Sequence, residues 1–360
     1  MAPPSIRPPK PIQYYILPAI FIGFLFYLQF SRETPQVSDQ PQLLHFTGKA
    51  MGTGWSVKVY AQPNESSIPP EQVDVRIRNE IEDVNQKMST YLTDSELILF
   101  NKSSNTDPVT VSHKTFAVVK EAQRISEHTD GAFDITLRPL ISAWGFGSGQ
   151  EESPPKPEDI ALLMANTGHT NIQLNEVDHT ITKTIPDLEL DVSAIAKGYA
   201  VDQVADMLHE IGFRNYMVEV GGETRAYGKN PKNEVWKIGI ERPDAARGVL
   251  IEIIALNNTS IATSGDYRNY HEKFGKRISH TIDGRTGYPI EHKLASVSVI
   301  HPSNMTADAW ATAINVLGPE EGFEMAKQQN LAVMMLIRND NGEFERKTTD
   351  AFLAYQVKMD

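Results

Sequence analysis

The chain has 360 residues, of which 40% are hydrophobic and 22% are charged, and this is enough to bury the core of one large domain or two smaller ones. Its formal net charge is −12, and the sequence contains no run of lysine and arginine residues that could form a basic surface. Both features argue against nucleic acid as a partner. Cysteine is absent, which excludes disulfides, thiol nucleophiles, zinc–thiolate sites and lipid attachment to an N-terminal cysteine.

The N-terminal region contains an uncharged and predominantly apolar stretch at residues 12–30. At a helical rise of about 1.5 Å per residue, the stretch is just long enough to cross a hydrocarbon core of roughly 30 Å. Arg7 and Lys10 precede it, so the positive-inside rule predicts a cytoplasmic tail at residues 1–11. No small-residue cleavage site follows the stretch, which favours an uncleaved transmembrane signal anchor over a cleaved signal peptide.

After the anchor, the sequence predicts a tether and one folded domain. Residues 31–43 are polar and contain two prolines, as expected for a tether. Helix and strand patterns are interleaved over residues 44–360 without regular βαβ alternation, which favours an α+β fold. Apolar residues at helical spacing predict helices through residues 77–88 and 204–211. The predicted strands are Trp55–Tyr60, Tyr216–Val220, Val235–Ile240, Val249–Ala255, Leu294–Ile300 and Leu331–Ile337.

Turn-forming residues mark the breaks between these elements. Gly212 is the predicted end of the second helix. Two polar stretches that contain proline, residues 62–72 and 147–159, are predicted to be surface loops.

Two glycine-containing segments differ from ordinary core or surface sequence, and the first of them is a candidate for anion binding. In residues 191–199, Ser193 is a plausible N-cap for the helix that follows, and Lys197 lies close to the expected helix start. A helix N-terminus beside a lysine can bind an anion, although a capped surface helix explains the pattern equally well. Gly221 and Gly222 follow a predicted strand and permit a close backbone approach, or simply a tight turn.

Two further segments, residues 263–268 and 279–287, are dense in small, hydroxylic and charged residues. Functional residues concentrate on loops of this kind. His280 lies between Ser279 and Asp283, which favours a functional role, whereas an isolated histidine is more often structural.

The last candidate segment is a predicted helix that ends at Gly318. Asp308 and Thr312 are four residues apart, so their oxygens project from one face of this helix. A carboxylate and a hydroxyl suit Mg²⁺, which usually keeps water and substrate phosphates as its other ligands. In the alternative interpretation, Asp308 only stabilises the helix N-terminus electrostatically.

Taken together, these segments resemble the FAD:protein FMN transferase family, also called the ApbE family, from about Gly48 to Gly318. The matching elements occur in the family's order and are Met51-Gly-Thr53, Ser89-Thr-Tyr91, Asp94-Ser-Glu96, Phe100-Asn101, Gly131-Ala-Phe-Asp134, Pro139-Leu, Trp144-Gly-Phe-Gly147, Asp191–Tyr199, Gly221-Gly222, Thr263–Arg268, Ile282-Asp283, Arg285-Thr-Gly287 and Asp308–Thr312. The sequence departs from the family where Ser193-Ala194, Glu223 and Gly284 replace the usual Gly-Gly, Asp and Pro.

The resemblance implies an α+β fold whose flavin site lies between two halves of the domain. The residues expected to contact FAD are Met51, Tyr91, Ala132, Phe133, Asp134, Asp191, Lys197 and Ile282. The ligands expected for Mg²⁺ are Asp308, Thr312 and the backbone carbonyls of Ala194 and Ala311.

The resemblance also implies a reaction in which FMN is transferred from FAD to a Thr or Ser hydroxyl of a protein, with a phosphoester product and release of AMP. An unactivated hydroxyl is a weak nucleophile, so a base is expected, and Asp308 is the first candidate, followed by Asp283 or His280. Two other function classes stay open, a periplasmic FAD pyrophosphatase and a flavin-binding protein without turnover. The presence of Asp308 and Thr312 argues against the latter, because simple binding needs no metal at the pyrophosphate.

The expected cellular setting combines the resemblance with the anchor. Many members of the family are lipoproteins held by a cysteine, and residues 12–30 would serve the same purpose here. We therefore expect a single-pass protein of a bacterial inner membrane with its catalytic domain in the periplasm. The acceptors implied by the resemblance are exported proteins such as subunits of sodium-translocating NADH:quinone reductase or of Rnf complexes.

Overall fold

The computed structural model describes residues 40–63, 65–146, 153–243, 248–265, 270–273 and 276–357. The predicted anchor and most of the predicted tether lie outside these ranges. In the part of the chain that is described, no helix is both long enough and apolar enough to cross a membrane. The first strand begins at Gln42, so the last two residues of the predicted tether belong to the folded domain.

Helices and strands alternate irregularly along the chain, as the α+β prediction requires. The helices are α1 (Pro70–Met88), α2 (Glu96–Lys102), α3 (His113–His128), α4 (Arg138–Ala143), α5 (Pro157–Met164), α6 (Ala196–Glu210), α7 (Asn304–Gln328) and α8 (Asp350–Leu353), with a 3₁₀ turn at His169–Asn171. The strands are β1 (Gln42–Ala50), β2 (Thr53–Ala61), β3 (Val109–Thr110), β4 (Ile172–Asn175), β5 (Thr180–Lys183), β6 (Tyr216–Val220), β7 (Glu223–Tyr227), β8 (Trp236–Glu241), β9 (Leu250–Leu256), β10 (Thr259–Gly265), β11 (Tyr270–Lys273), β12 (Lys276–Ser279), β13 (Leu294–His301), β14 (Ala332–Arg338) and β15 (Phe344–Thr348).

An eight-stranded antiparallel sheet forms the centre of the fold, in the order β1-β2-β6-β7-β10-β13-β14-β15. Its inner strand β13 is buried along seven of its eight residues, because both faces of the sheet are covered. Helix α7 packs on β10 and β13 on one face. On the other face, the β8–β9 hairpin contributes Trp236 and Ile254 to a cluster that includes Ile300 of β13. A sheet covered in this way is a rigid platform for the loops at its ends.

The two helices predicted from apolar spacing pack against each other and against the sheet. Ile77 and Ile81 of α1 share a buried cluster with Val204 and Leu208 of α6. The cluster also includes Val218 of β6, so α6 lies between α1 and the sheet. Helix α6 ends at Glu210 and is followed by Gly212 at a φ of 104°, as the sequence predicted.

A second half of the domain, formed by residues 96–195, covers the other side of α7. Its three-stranded sheet has the order β3-β5-β4. Phe116 and Ile181 from this half share a core with Trp310 of α7 and Val297 of β13. Helix α7 therefore lies between the two halves, and each half buries part of its surface.

One predicted helix start differs from the structure. Ser193 is not an N-cap, because α6 begins three residues later, after Ile195, and Ser193 instead donates its backbone N–H to Asp191 Oδ1 at 2.8 Å. The predicted end of a helix at Gly318 agrees with a break in α7, because Gly318 has a non-helical φ of 81°. A second helical segment follows with Pro319 in its first turn and continues to Gln328.

The predicted loops are also shorter than expected. Residues 70–72 belong to α1 and residues 157–159 belong to α5, because Pro70 and Pro157 start these helices. Residues 147–152 of the second loop lie outside the described residues.

Asp202 of α6 fixes the start of α7. Its carboxylate accepts hydrogen bonds from the backbone N–H groups of Asn304 and Met305, each at 3.0 Å, and from the Ser303 hydroxyl at 2.8 Å. Arg225 of β7 donates to the same carboxylate at 2.9 Å. One buried side chain therefore joins α6, α7 and the sheet and offsets the positive N-terminus of α7.

We expect Asp202→Ala to lower the melting temperature by several degrees, because truncation leaves Arg225 and two helix N–H groups without their acceptor, at a cost of about 3–5 kcal/mol. Thermal unfolding followed by circular dichroism measures this change. Asp206→Ala is the matched control, because Asp206 pairs with the same Arg225 at 3.1 Å but its side chain is 55% exposed. Equal melting temperatures for both variants would contradict the assigned role of Asp202.

Candidate functional site

Three of the segments singled out in the sequence converge at one end of the large sheet. Gly221, in the turn between β6 and β7, donates its N–H to Gly54 O at 3.0 Å in the adjacent β1–β2 hairpin. A Cβ atom at Gly221 would lie 2.9 Å from the Thr53 side chain and 3.3 Å from the Lys197 side chain. The turn after Met51, the glycine pair and the start of α6 are therefore in direct contact.

Helices α6 and α7 approach each other closely at Gly198. Its backbone N–H donates to Asp308 Oδ2 at 3.0 Å. A Cβ atom at Gly198 would lie only 2.4 Å from Asn304 O and 2.8 Å from Asp308 Cβ. A residue without a side chain is thus required for the first turn of α6 to reach the Asp308 carboxylate.

Lys197 lies between two carboxylates at this contact. Its Nζ is 3.0 Å from Glu223 Oε1 and 3.7 Å from Asp308 Oδ1. The side chains of Glu223 and Asp308 are 4% and 6% exposed, so water screens this cluster poorly. Glu223 Oε2 is buried and has no hydrogen-bond partner among the residues that the structure describes.

Burial and charge shift the pKa values of all three groups. Burial raises the pKa of Glu223 to about 7, although Lys197 opposes the shift. Burial likewise raises the pKa of Asp308, again against the effect of Lys197. Burial alone would lower the pKa of Lys197, but Asp308 and Glu223 outweigh it, so this pKa is raised and the ammonium stays charged.

Asp308 and Thr312 lie one helical turn apart on α7, as the sequence predicted, and the Thr312 residue is half-buried. Ala311 is buried, and Ala194 is half-buried in the turn just before α6. Across the described ranges, no group of three or more His, Asp and Glu side chains forms a metal cluster. A cation held here would therefore bind carboxylate, hydroxyl and carbonyl oxygens, together with substrate phosphates, which is the chemistry that suits Mg²⁺.

A second group of predicted residues lies where the 282–287 loop meets the 131–134 loop. Gly284 donates its N–H to Ala132 O at 3.1 Å, and a Cβ atom there would lie 2.2 Å from Gly131 O. The structure thus explains the glycine at this position, because a proline would lose this hydrogen bond and collide with the loop. Ala132 in turn packs against Val316 and Leu317 of α7.

The Asp134 carboxylate is used within the protein. It accepts the N–H groups of Thr136 at 2.8 Å and His169 at 2.7 Å. Burial raises its pKa, although these hydrogen bonds oppose the shift. The side chains of Phe133 and Ile282 lie in the core. Contacts of these three residues with a flavin would therefore be made through their backbone atoms.

The remaining predicted flavin contacts have different settings. Asp191 closes the turn before α6 by accepting the N–H of Ser193, and its own N–H donates to Ile135 O at 2.7 Å. Met51 lies in the β1–β2 turn at a φ of 51°, packed against both large clusters of the core. Tyr91 lies between α1 and α2 and is 79% exposed, so its ring is accessible to a ligand or partner.

The two further candidates for the base differ in their surroundings. Both carboxylate oxygens of Asp283 accept hydrogen bonds from Arg285, at 2.8 Å and 3.0 Å, and Arg285 also pairs with Glu321 at 2.8 Å. An acceptor committed to a guanidinium in this way is poorly suited to take up a proton. His280 packs edge-on against Phe146, with ring centroids 6.4 Å apart.

No role was predicted from the sequence for Glu223, Gly198 or Asp202. Glu223 was visible as a departure from the family pattern, but its distance from Lys197 was not. The sequence did contain an indication for Asp202, because a charged residue on the otherwise apolar face of α6, next to Val201 and Ala205, is expected to be buried. A buried carboxylate of this kind needs a partner.

A model of the ApbE family matches residues 51–335. Proteins named FAD:protein FMN transferase are similar over most of the chain. The Haemophilus influenzae protein is 43% identical over 318 residues, with 87% of this chain and 91% of that protein covered. The Escherichia coli K12 protein is 37% identical over 327 residues, with 88% and 92% covered.

Two solved structures share the fold. The flavin transferase ApbE from Vibrio cholerae has a TM-score of 0.80 and 39% sequence identity, with 88% of this chain and 99% of that chain covered. The apo form of the flavinyl transferase ApbE from Pseudomonas stutzeri has a TM-score of 0.79 and 37% identity, with 87% and 96% covered.

Gly198→Ala should destabilise the protein by about 1–3 kcal/mol, because the added methyl group overpacks the α6–α7 contact. It should also weaken FAD binding, because separation of the helices displaces Lys197. Thermal unfolding and flavin fluorescence titration measure the two effects. Gly54→Ala is the control, since a Cβ atom there meets nothing closer than 3.8 Å. If Gly198→Ala behaved like this control, the close approach would not matter.

Proposed function

The chain belongs to the ApbE family of FAD:protein FMN transferases, and from this membership we propose that it attaches FMN through a phosphoester to a Thr or Ser hydroxyl, with Mg²⁺ as cofactor and AMP as the released product. Transfer of FMN from FAD to an acceptor protein is the activity of this enzyme. The metal, the linkage and the acceptor residue are the parts that we add.

The observation that supports the proposal most is the buried cluster of Lys197, Asp308 and Glu223 at the junction of α6, α7 and the glycine turn. A fixed ammonium can bind a pyrophosphate oxygen, and backbone at Gly221 and Gly222 can approach a ligand closely. These groups are suited to binding phosphate and not the isoalloxazine ring. The chemistry proposed here is therefore displacement at phosphorus, for which positioning and electrostatics supply most of the catalysis.

The donors around Asp308 fit Mg²⁺. Gly198 engages Oδ2, which leaves Oδ1 for a cation, and Thr312 adds a hydroxyl from the next turn of α7. Carbonyls of Ala194 and Ala311 would complete the protein ligands. When bound, Mg²⁺ supplies Lewis-acid stabilisation of the charge on the pyrophosphate, an effect worth several kcal/mol.

In the proposed reaction, the acceptor hydroxyl oxygen attacks the phosphorus of the FMN half, and the bond from this phosphorus to the bridging oxygen breaks. Lys197 holds the pyrophosphate and balances the charge that develops on the departing AMP. The hydroxyl proton passes to a base. Asp308 is the first candidate, because Oδ2 accepts one hydrogen bond from Gly198 and keeps a second lone pair for the proton when Oδ1 binds the cation. His280 is the second candidate. The ion pair with Arg285 engages both oxygens of Asp283 and makes it the weakest of the three.

We also propose that the enzyme is a single-pass protein of a bacterial inner membrane, with the catalytic domain in the periplasm. The support is the apolar stretch at residues 12–30 and the basic residues Arg7 and Lys10 before it. The acceptors would then be exported proteins or proteins that expose a periplasmic loop. Acceptors of this kind that the family resemblance implies are subunits of sodium-translocating NADH:quinone reductase or of Rnf complexes.

Removal of residues 1–31 should release the protein from the membrane without loss of activity, because the folded domain begins at Gln42. Membrane fractionation of full-length and truncated proteins, followed by an FMN transfer assay on each, tests this expectation. A truncated protein that stays in the membrane fraction would argue against the anchor, and one that is released but inactive would show that the segment does more than anchor.

Asp308→Ala should lower the transfer rate by at least about 100-fold, because it removes the carboxylate that would hold the metal. The dissociation constant for FAD should change little, since the proposed flavin contacts come from many segments. Single-turnover assays and flavin fluorescence titration measure the two quantities, with Asp206→Ala as the control. An unchanged transfer rate in Asp308→Ala would refute the metal assignment.

Mass spectrometry of an acceptor incubated with FAD, Mg²⁺ and the enzyme tests the linkage. The expected mass gain is that of FMN minus water on a Thr or Ser residue, with AMP released in equal amount. A gain equal to whole FAD would indicate another linkage. Free FMN with an unmodified acceptor would indicate an FAD pyrophosphatase.

A further inference from the structure

The Asp308 carboxylate has one oxygen that the protein does not hold by a hydrogen bond from the backbone. Gly198 N–H donates to Oδ2 at 3.0 Å, whereas Oδ1 faces the Lys197 ammonium at 3.7 Å. A cation that binds Asp308 must therefore bind through Oδ1. Because the Asp308 carboxylate is buried and Lys197 carries the opposite charge, the ammonium would move onto Oδ1 if nothing else held it, and it would then compete with a divalent cation.

Glu223 provides the competing attraction. Its Oε1 lies 3.0 Å from Lys197 Nζ, closer than Asp308 Oδ1, and its side chain is 4% exposed. Glu223 is the first residue of β7, so the large sheet fixes its backbone directly after the Gly221–Gly222 turn. A carboxylate held in this way can retain the ammonium on the sheet side of the cluster.

The second oxygen of Glu223 supports a functional reason for this arrangement. Oε2 is buried, and no group in the described part of the chain donates a hydrogen bond to it. Leaving such an atom unsatisfied destabilises the fold, and a residue chosen for packing alone would avoid this cost. A buried carboxylate that engages only one cation, through one oxygen, indicates that the position of that cation matters.

We propose that Glu223 is a positioning residue that holds the Lys197 ammonium away from Asp308 and so keeps Asp308 Oδ1 available to a divalent cation. The inference rests on the metal dependence proposed above. In this arrangement, Lys197 remains next to the cation site, where it can bind the pyrophosphate, without occupying the site itself.

The test is the binding of Mn²⁺, a paramagnetic substitute for Mg²⁺, to the purified full-length protein without an acceptor. Electron paramagnetic resonance measures the free Mn²⁺ during titration. In Glu223→Gln, which keeps the shape and removes the charge, the dissociation constant for Mn²⁺ should rise by about tenfold or more, equivalent to about 1.4 kcal/mol. Glu223→Asp keeps the charge and should retain most of the affinity.

A double variant separates positioning from a general structural effect. Lys197→Met removes the competing ammonium, so the combination of Lys197→Met with Glu223→Gln should bind Mn²⁺ about as tightly as Lys197→Met alone. Asp206→Asn, which removes an exposed charge from the same helix α6, is the control and should bind as the wild type does. Thermal unfolding of each variant verifies that it is folded.

Two results would overturn the inference. One is wild-type affinity in Glu223→Gln, and the other is a double variant that binds as weakly as Glu223→Gln, because Glu223 would then act independently of Lys197. If Glu223→Gln does not fold, Glu223→Asp replaces it in the test. The inference is then overturned if Glu223→Asp binds Mn²⁺ weakly and the addition of Lys197→Met does not restore the affinity. Failure of the wild type itself to bind Mn²⁺ would instead refute the proposed metal dependence, and the inference with it.

Discussion

The site depends on the close approach of α6 and α7 at Gly198. A side chain at this position would collide with Asn304 O and Asp308 Cβ, so the helices could not meet as they do. The contact brings the first turn of α6 to the Asp308 carboxylate, and Asp202, one turn further along α6, caps the start of α7. Helix α6 therefore fixes both the position of α7 and the orientation of the Asp308 carboxylate. The covered sheet beneath the two helices makes this arrangement rigid.

The charge of the cluster of Lys197, Glu223 and Asp308 supports the proposal that a cation and an anionic substrate bind here together. One ammonium stands against two carboxylates, and burial raises the pKa of both Glu223 and Asp308 because the excess negative charge is poorly solvated. A divalent cation would offset this excess and leave a positive balance. The pyrophosphate of FAD, which carries negative charge, then offsets that balance in turn.

Local sequence patterns predicted the elements of the fold better than the site. The buried residues of α1 and α6 follow helical spacing, and the predicted strands agree with the structure to within one or two residues, because periodicity reports which face an element buries. The same patterns do not report which faces meet. Gly198 and Asp308 are 110 residues apart, and Lys197 and Glu223 are 26 apart on different elements. Ser193 was mistaken for a cap because Asp191, two residues earlier, closes the turn instead.

The three departures from the family pattern, at Ala194, Gly284 and Glu223, have different physical explanations. At Ala194 the expected ligand is a backbone carbonyl, which is independent of the side chain. At Gly284 the backbone N–H is used and there is no room for a side chain, so the local packing of the 131–134 loop accounts for the residue. At Glu223 the added methylene changes how far a buried carboxylate reaches toward Lys197, while the charge stays the same. Because this departure preserves the charge that attracts Lys197, the ammonium stays on the sheet side of the cluster, 3.0 Å from Glu223 and 3.7 Å from Asp308.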